Sequence, residues 1–221
     1  MKRLAPAEPG LFPEPRISGK QVAAFFPEEG GIHAIVFGEA PGPRGADRSG
    51  IPFWGDGAGI PLYRALKQAG CADFPEQVWD VWEGGQLIRL GFRPRLRGVA
   101  LSNAFANCPS DDGHRFRAPK KSEWASLENQ KRLSGELELA ARRGCERIVT
   151  LGRCAAQALR ELAAQKGWTL VALPHPSSQG LLMDAPGKGR GMRLADLQVA
   201  WQKRLEFAVR EVVDRVPLTP G

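Results

Sequence analysis

The sequence of 221 residues contains no apolar run of about 18 residues, the length a helix needs to span a bilayer, and this excludes a transmembrane helix. The first residues, Met1-Lys2-Arg3-Leu4-Ala5-Pro6, lead into prolines and acids rather than an apolar signal core, so a cytoplasmic protein is expected. Cysteine is scarce. The four present, Cys71, Cys108, Cys145 and Cys154, form no CxxC pair. A chain of this length needs no disulfides, so free thiols in a reducing compartment are expected, and the spacing gives a four-cysteine metal site no support. Neither GxGxxG nor GxxxxGKS/T occurs, so the usual mononucleotide phosphate loops are not matched. Internal repeats and low-complexity tracts are absent too.

Hydrophobic residues make up 43%, enough for a core, and charged residues 25%, which argues against wholesale disorder. The length suits one large domain or at most two small ones. Eighteen prolines and 26 glycines imply long, shaped loops rather than a bundle of long helices. The formal net charge is +7 and the isoelectric point about 9.6, which favours an anionic partner, nucleic acid first. Three basic clusters carry much of that charge: Arg93–Arg97, Arg115–Lys121 and Lys188–Arg193. A solvated loop is the plain alternative for each.

Residues 1–30, rich in Pro, Glu and Gly, read as an extended arm with a short helix around Lys20–Phe26. A single domain is expected over 31–221. Short apolar runs predict buried strands at His33–Gly38, Gly98–Ser102, Arg147–Leu151 and Thr169–Leu173. Between and after them, helical patterns cover Leu62 to about Gly70, Ser122 to about Arg143 with Ser122 as cap, Cys154–Leu162, and Leu194 to about Val213. Continuously apolar strands alternating with helices predict a parallel sheet covered on both faces. Three strands end in long polar loops, Gly38–Gly59, Asn103–Lys121 and Pro174–Gly191. In a parallel sheet all three gather on the carboxyl edge, where ligands bind.

Seven of the 22 residues from Gly38 to Gly59 are glycine, which suits close backbone approach to a ligand. The carboxylates there are Glu39, Asp47 and Asp56, and Phe53 with Trp54 offers an aromatic face. A turn-rich loop whose Asp residues cap backbone groups fits the same pattern. Asn103 either closes an Asx turn or presents its amide as a paired donor and acceptor, the complement of an imide edge. His175, between Pro174 and Pro176, is stiffly held and precedes Ser177 and Ser178.

Gly38-Glu39-Ala40-Pro41-Gly42 with Gly50-Ile51-Pro52-Phe53, a strand ending Ser102-Asn103, Leu151-Gly152-Arg153-Cys154-Ala155, and His175-Pro176-Ser177 resemble, in order and separation, the uracil-DNA glycosylase superfamily. The first loop is most similar to families 4 and 5. The resemblance covers about residues 32–206. It implies a three-layer α/β/α sandwich around a four-stranded parallel sheet. It also implies hydrolysis of the N-glycosidic bond of a deaminated base flipped out of DNA. Carried over by position, His175 stabilises the departing base anion; because Ala40 stands where an Asp or Asn is usual, Asp47 handles water, with Glu39 as runner-up. Phe53 stacks on the base, Asn103 reads it, and the backbone at Ala40 and Gly42 lies against it. Ser177, Ser178, Arg48, Lys188 and Arg190 are expected on the DNA. Families 4 and 5 hold a 4Fe–4S cluster on four cysteines. Cys108 matches one of these, but residues 1–30 contain no Cys and the helix from Ser122 lacks another. No cluster and no other cofactor are therefore expected, and a monomer is expected. The competing class is a non-catalytic module binding damaged or abasic DNA on the same fold. A small-molecule hydrolase is disfavoured by the basic charge.

Overall fold

The four apolar runs form one parallel sheet. The computed structural model describes residues 17–210. In chain order come β1 (Ile32–Gly38), α1 (Ala46–Ser49), α2 (Gly59–Gln68), β2 (Ala72–Asp73), a 3-10 segment Glu76–Val81, α3 (Gly84–Arg89), β3 (Arg95–Leu96) and β4 (Gly98–Asn103). Then follow α4 (Lys121–Trp124), α5 (Leu127–Ala141), β5 (Arg147–Leu151), α6 (Arg153–Lys166), β6 (Thr169–Leu173), α7 (Ser178–Asp184), a 3-10 turn Pro186–Gly189 and α8 (Leu194–Arg210).

The sheet order is β4-β1-β5-β6, with every neighbouring pair parallel, while β2 and β3 form a small antiparallel ladder. Alternate strand residues feed two cores. Val36, Val99, Leu101 and Val149 face α2 and α8, whereas Ile35, Phe37, Ala100 and Ile148 face α5 and α6. Burial on both faces explains why β1 reads as one apolar run. The expected α/β/α layering with four parallel strands is what the structure shows. The chain leaves β1 toward β4 but leaves β5 toward β6, so the connections diverge between β1 and β5. That crevice is where such sheets bind ligands.

Two local expectations change. Lys20–Phe26 is extended rather than helical: Phe25 N–H donates to Leu101 O (2.7 Å), Leu101 N–H returns a bond to Phe25 O (2.9 Å), and Val22 N–H donates to Ala106 O (2.8 Å). The open edge of β4 offers backbone partners that a local helix would forgo, and the arm covers that edge. The helix expected from Ser122 is two. Ser126, not Ser122, caps the longer one by accepting from Asn129 N–H at 3.3 Å. The expected helix end near Val213 lies outside the described residues. Among the described residues, no helix is long and apolar enough to cross a membrane.

Candidate active site at the carboxyl edge

Gly38 ends β1 and Asn103 ends β4, and the two are register partners. A Cβ on Gly38 would fall 2.6 Å from Phe53 Cζ and 2.7 Å from Asn103 Oδ1, so the ring and the amide close over bare backbone. Phe53 is held at φ +65°, a left-handed conformation costing roughly 1–2 kcal/mol for an L-residue. The turn sends adjacent aromatics to different places. Trp54 enters the core, donating Nε1–H to Phe92 O (3.1 Å) and meeting Tyr63 and Phe74 edge-on. The aromatic face expected from both residues is therefore Phe53 alone. Asn103 is only 1% exposed, and its buried Nδ2 has no hydrogen-bond partner. A buried amide left without an acceptor is costly, and this one lies beside the Phe53 ring.

Across the crevice, Ser177 N–H donates to His175 Nδ1 (3.2 Å). That bond needs the Nδ1 lone pair, so the neutral ring carries its proton on Nε2. Burial holds the His175 pKa below the ordinary 6.5, with the Glu39 carboxylate pulling the other way. Glu39 Oε1 accepts from Cys154 N–H (3.0 Å) in the first turn of α6. Gly152 makes room for it: φ is +98°, and a Cβ there would fall 2.5 Å from Glu39 Oε1. Glu39 and His175 are thus brought together at the point where the connections diverge.

Asp56 organises the rest of the first loop, its Oδ2 accepting from Gly42 N–H (3.2 Å) and Ala46 N–H (3.1 Å). Burial raises its carboxyl to about 6 against the pull of these bonds. The Gly42 N–H, expected at the base, is therefore spent on Asp56. Asp47 is also engaged: Ser18 donates its N–H to Oδ2 (2.8 Å) and its hydroxyl to Oδ1 (2.7 Å). These bonds tie the arm to the first loop. Ala40 is half-buried and offers only backbone.

Ser177 Oγ caps α7 by accepting from Gly180 N–H (3.2 Å). Ser178, Lys188 and Arg190 are exposed on the same loop. Arg48 donates Nε–H to Pro43 O (3.2 Å) and lies 3.6 Å from Glu83, so its charge is partly engaged. In the second basic cluster Arg117 and Lys120 pair with Asp111, and Arg117 also with Glu123. Arg93–Arg97 precedes β4 and so lies at the amino edge of the sheet, away from the carboxyl-edge loops.

The four cysteines do not fit a shared cluster. Cys145 precedes β5 and Cys154 follows it, which separates them by a five-residue strand rising about 3.3 Å per residue. Burial pushes Cys108 and Cys154 up to about 12 and Cys145 to about 11, which disfavours thiolates.

A polar group on α5 escaped the sequence reading. Arg132 Nη2 donates to the carbonyls of Asn103 (2.9 Å) and Ala104 (3.0 Å), and Nη1 to Glu136 Oε1 (2.5 Å). Glu136 Oε2 accepts from Ser102 Oγ (2.7 Å), and Asn129 Nδ2 donates to Ala104 O (2.8 Å). A signal was present: Asn129 and Glu136 share the buried stripe of Leu133, Leu137 and Ala140, where apolar residues belong.

No family model matches the sequence. A curated relative, type-5 uracil-DNA glycosylase of Thermus thermophilus, is 39% identical over 75 residues, or 34% of this chain. The match spans 29% of that relative's length. A solution NMR structure from Methanosarcina acetivorans, provisionally described as a uracil DNA glycosylase, aligns over 83% of this chain and 98% of its own at 13% identity, with a TM-score of 0.43. With the ordered motifs and the Thermus relative together, the chain resembles the uracil-DNA glycosylase superfamily.

Proposed function

We propose that this chain is a monofunctional DNA glycosylase that hydrolyses the N-glycosidic bond of uracil flipped out of DNA. The carrying observation is the unpartnered, buried Asn103 Nδ2 beside the left-handed Phe53. An amide at the end of a strand, next to an aromatic ring, matches a flat imide that stacks on Phe53 and exchanges N3–H and O4 hydrogen bonds with Asn103. The similarity to a glycosylase over 75 residues supports the same substrate class.

The bond from N1 to C1′ breaks through an oxocarbenium-like state, and its electron pair leaves with the base. Neutral His175, with its proton on Nε2, is suited to donate a hydrogen bond to the base oxygen where that charge accumulates. Water adds to C1′ and gives up a proton. Glu39, whose charge acts on His175, is the carboxylate on this side of the crevice, whereas Asp47 is closed by Ser18. The proton that water gives up ends on the departed base anion, so an abasic sugar and neutral uracil result. Exposed Lys188 and Arg190 suit phosphate contacts.

That closure of Asp47, together with Ala40, favours one alternative, a DNA-binding module without catalysis. Incubation with uracil-containing single- and double-stranded oligonucleotides, followed by alkaline cleavage of abasic sites, separates the two. Strand breaks only at uracil support the enzyme. Retention of DNA with no breaks supports the module.

A further inference from the structure

We propose that Arg132 is a positioning residue that sets the orientation of the Asn103 amide through a clasp on residues 102–104. The inference rests on the glycosylase reading above. Its basis is geometric: one guanidinium holds the carbonyls of both Asn103 and Ala104, while the carboxylate it pairs with holds the Ser102 hydroxyl. Asn129 adds a second donor to Ala104 O and accepts from Arg132 Nε–H (3.1 Å) and Nη2–H (2.9 Å). Three consecutive residues at the end of β4 are thus fixed from one face of α5, with Asn103 in the middle.

Stability alone does not call for this arrangement. The side chains of Arg132 and Glu136 are 18% and 10% exposed, and desolvating such a pair offsets most of its attraction. Leu or Met at these positions would join α5 to the sheet as well. The ion pair and Asn129 supply fixed directions, which apolar packing does not. Directions matter here because the Asn103 Nδ2 has no protein partner to orient it. The planar Arg fork is specific to the task, since Lys cannot span two carbonyls and a carboxylate with the same geometry. The clasp also holds the second loop, which has no converging thiolates to secure it.

The test is a double-mutant cycle read in single-turnover uracil release, with Arg132→Gln made in the wild-type and Asn103→Ala backgrounds. Misplacing a reading group by about 1 Å costs on the order of 10²-fold in rate, so a fall of that size is expected in the wild-type background. In the Asn103→Ala background the same change should cost no more than about twofold, because the amide through which it acts is gone. Within each background, Arg132→Gln should leave oligonucleotide affinity as it was, and a loss of affinity matching the loss of rate also overturns the proposal. Equal falls in the two backgrounds, or no fall in either, overturn the proposal. If Arg132→Gln does not fold, Glu136→Gln, which keeps its shape and loses one charge, carries the same cycle. If the wild-type protein releases no uracil, the glycosylase reading fails. The clasp is then read from the Asn103 side-chain amide resonances, expected sharp in the wild type and broadened in Arg132→Gln. Identical resonances in both proteins contradict it.

Discussion

Ser18 closes on Asp47 from 29 residues away, its N–H on one carboxylate oxygen at 2.8 Å and its hydroxyl on the other at 2.7 Å. The carboxylate that the first-loop motif puts forward therefore secures the arm, and Glu39 stands with His175. Glu39→Gln should lower single-turnover uracil release by about 10²–10³, the usual loss for one preorganised electrostatic group. Asp47→Asn should lower the melting temperature while leaving most of the rate. The reverse pattern returns the water to Asp47.

His175 gives a pH signature. Burial depresses its pKa, so the neutral donor persists below the ordinary value of 6.5. The rate of uracil release should stay level as pH falls through 6.5 and decline only below it. The unfolded chain gains its proton near 6.5 while the folded chain resists, so His175 also withdraws stability on the acid side. A rate that already falls above 6.5 would mean a histidine without this depression.

Asp56 acts with the opposite sign. Between 3.8 and about 6 the folded state holds a proton that the unfolded state has lost, so this group's contribution to stability falls as pH rises across that window. Asp56→Asn removes the dependence and retains an oxygen for the Gly42 and Ala46 N–H groups. The melting temperature of the variant relative to wild type should therefore be higher at about pH 7.5 than at about pH 5, by about 2–4 °C for each kcal/mol gained. A difference that is flat with pH contradicts the raised carboxyl.

How much was legible in the sequence depended on how far away the partners lie. The strands are legible because each is continuously apolar, and Asn103 and His175 sit in short motifs at strand ends, with Phe53 in the long glycine-rich loop after β1. The partners of Gly42 and Asp47, which are Asp56 and Ser18, lie 14 and 29 residues away, so no local pattern reveals them. The arm reads as helical because nothing local reveals the β4 edge it covers. Arg132 is likewise 29 residues from Asn103, visible only as a charge next to polar residues on an apolar stripe.

The position of the basic clusters bears on DNA binding. Lys188 and Arg190 are exposed on the third loop, while Arg95 lies at the far edge of the sheet. Removing one cation that neutralises a phosphate flattens the log affinity–log salt slope by about 0.7–0.9, so Lys188→Gln with Arg190→Gln should reduce it by about 1–2. Arg95→Gln should leave it unchanged. Equal effects from the two edges would place DNA elsewhere.

In the proposed function Asn103 reads an imide. Cytosine presents a bare N3 acceptor and an amino donor where uracil presents N3–H and O4, and mispairing buried polar groups costs about 1–3 kcal/mol each. Single-turnover base release from matched uracil and cytosine oligonucleotides, measured for the wild type and for correctly folded Asn103→Asp, tests this most directly. The wild type should release uracil and not cytosine, and the variant, which lacks the amide donor, should lose most uracil release. Uracil release left unchanged by Asn103→Asp would mean that the residue only closes a turn, and would contradict a base-reading role for it.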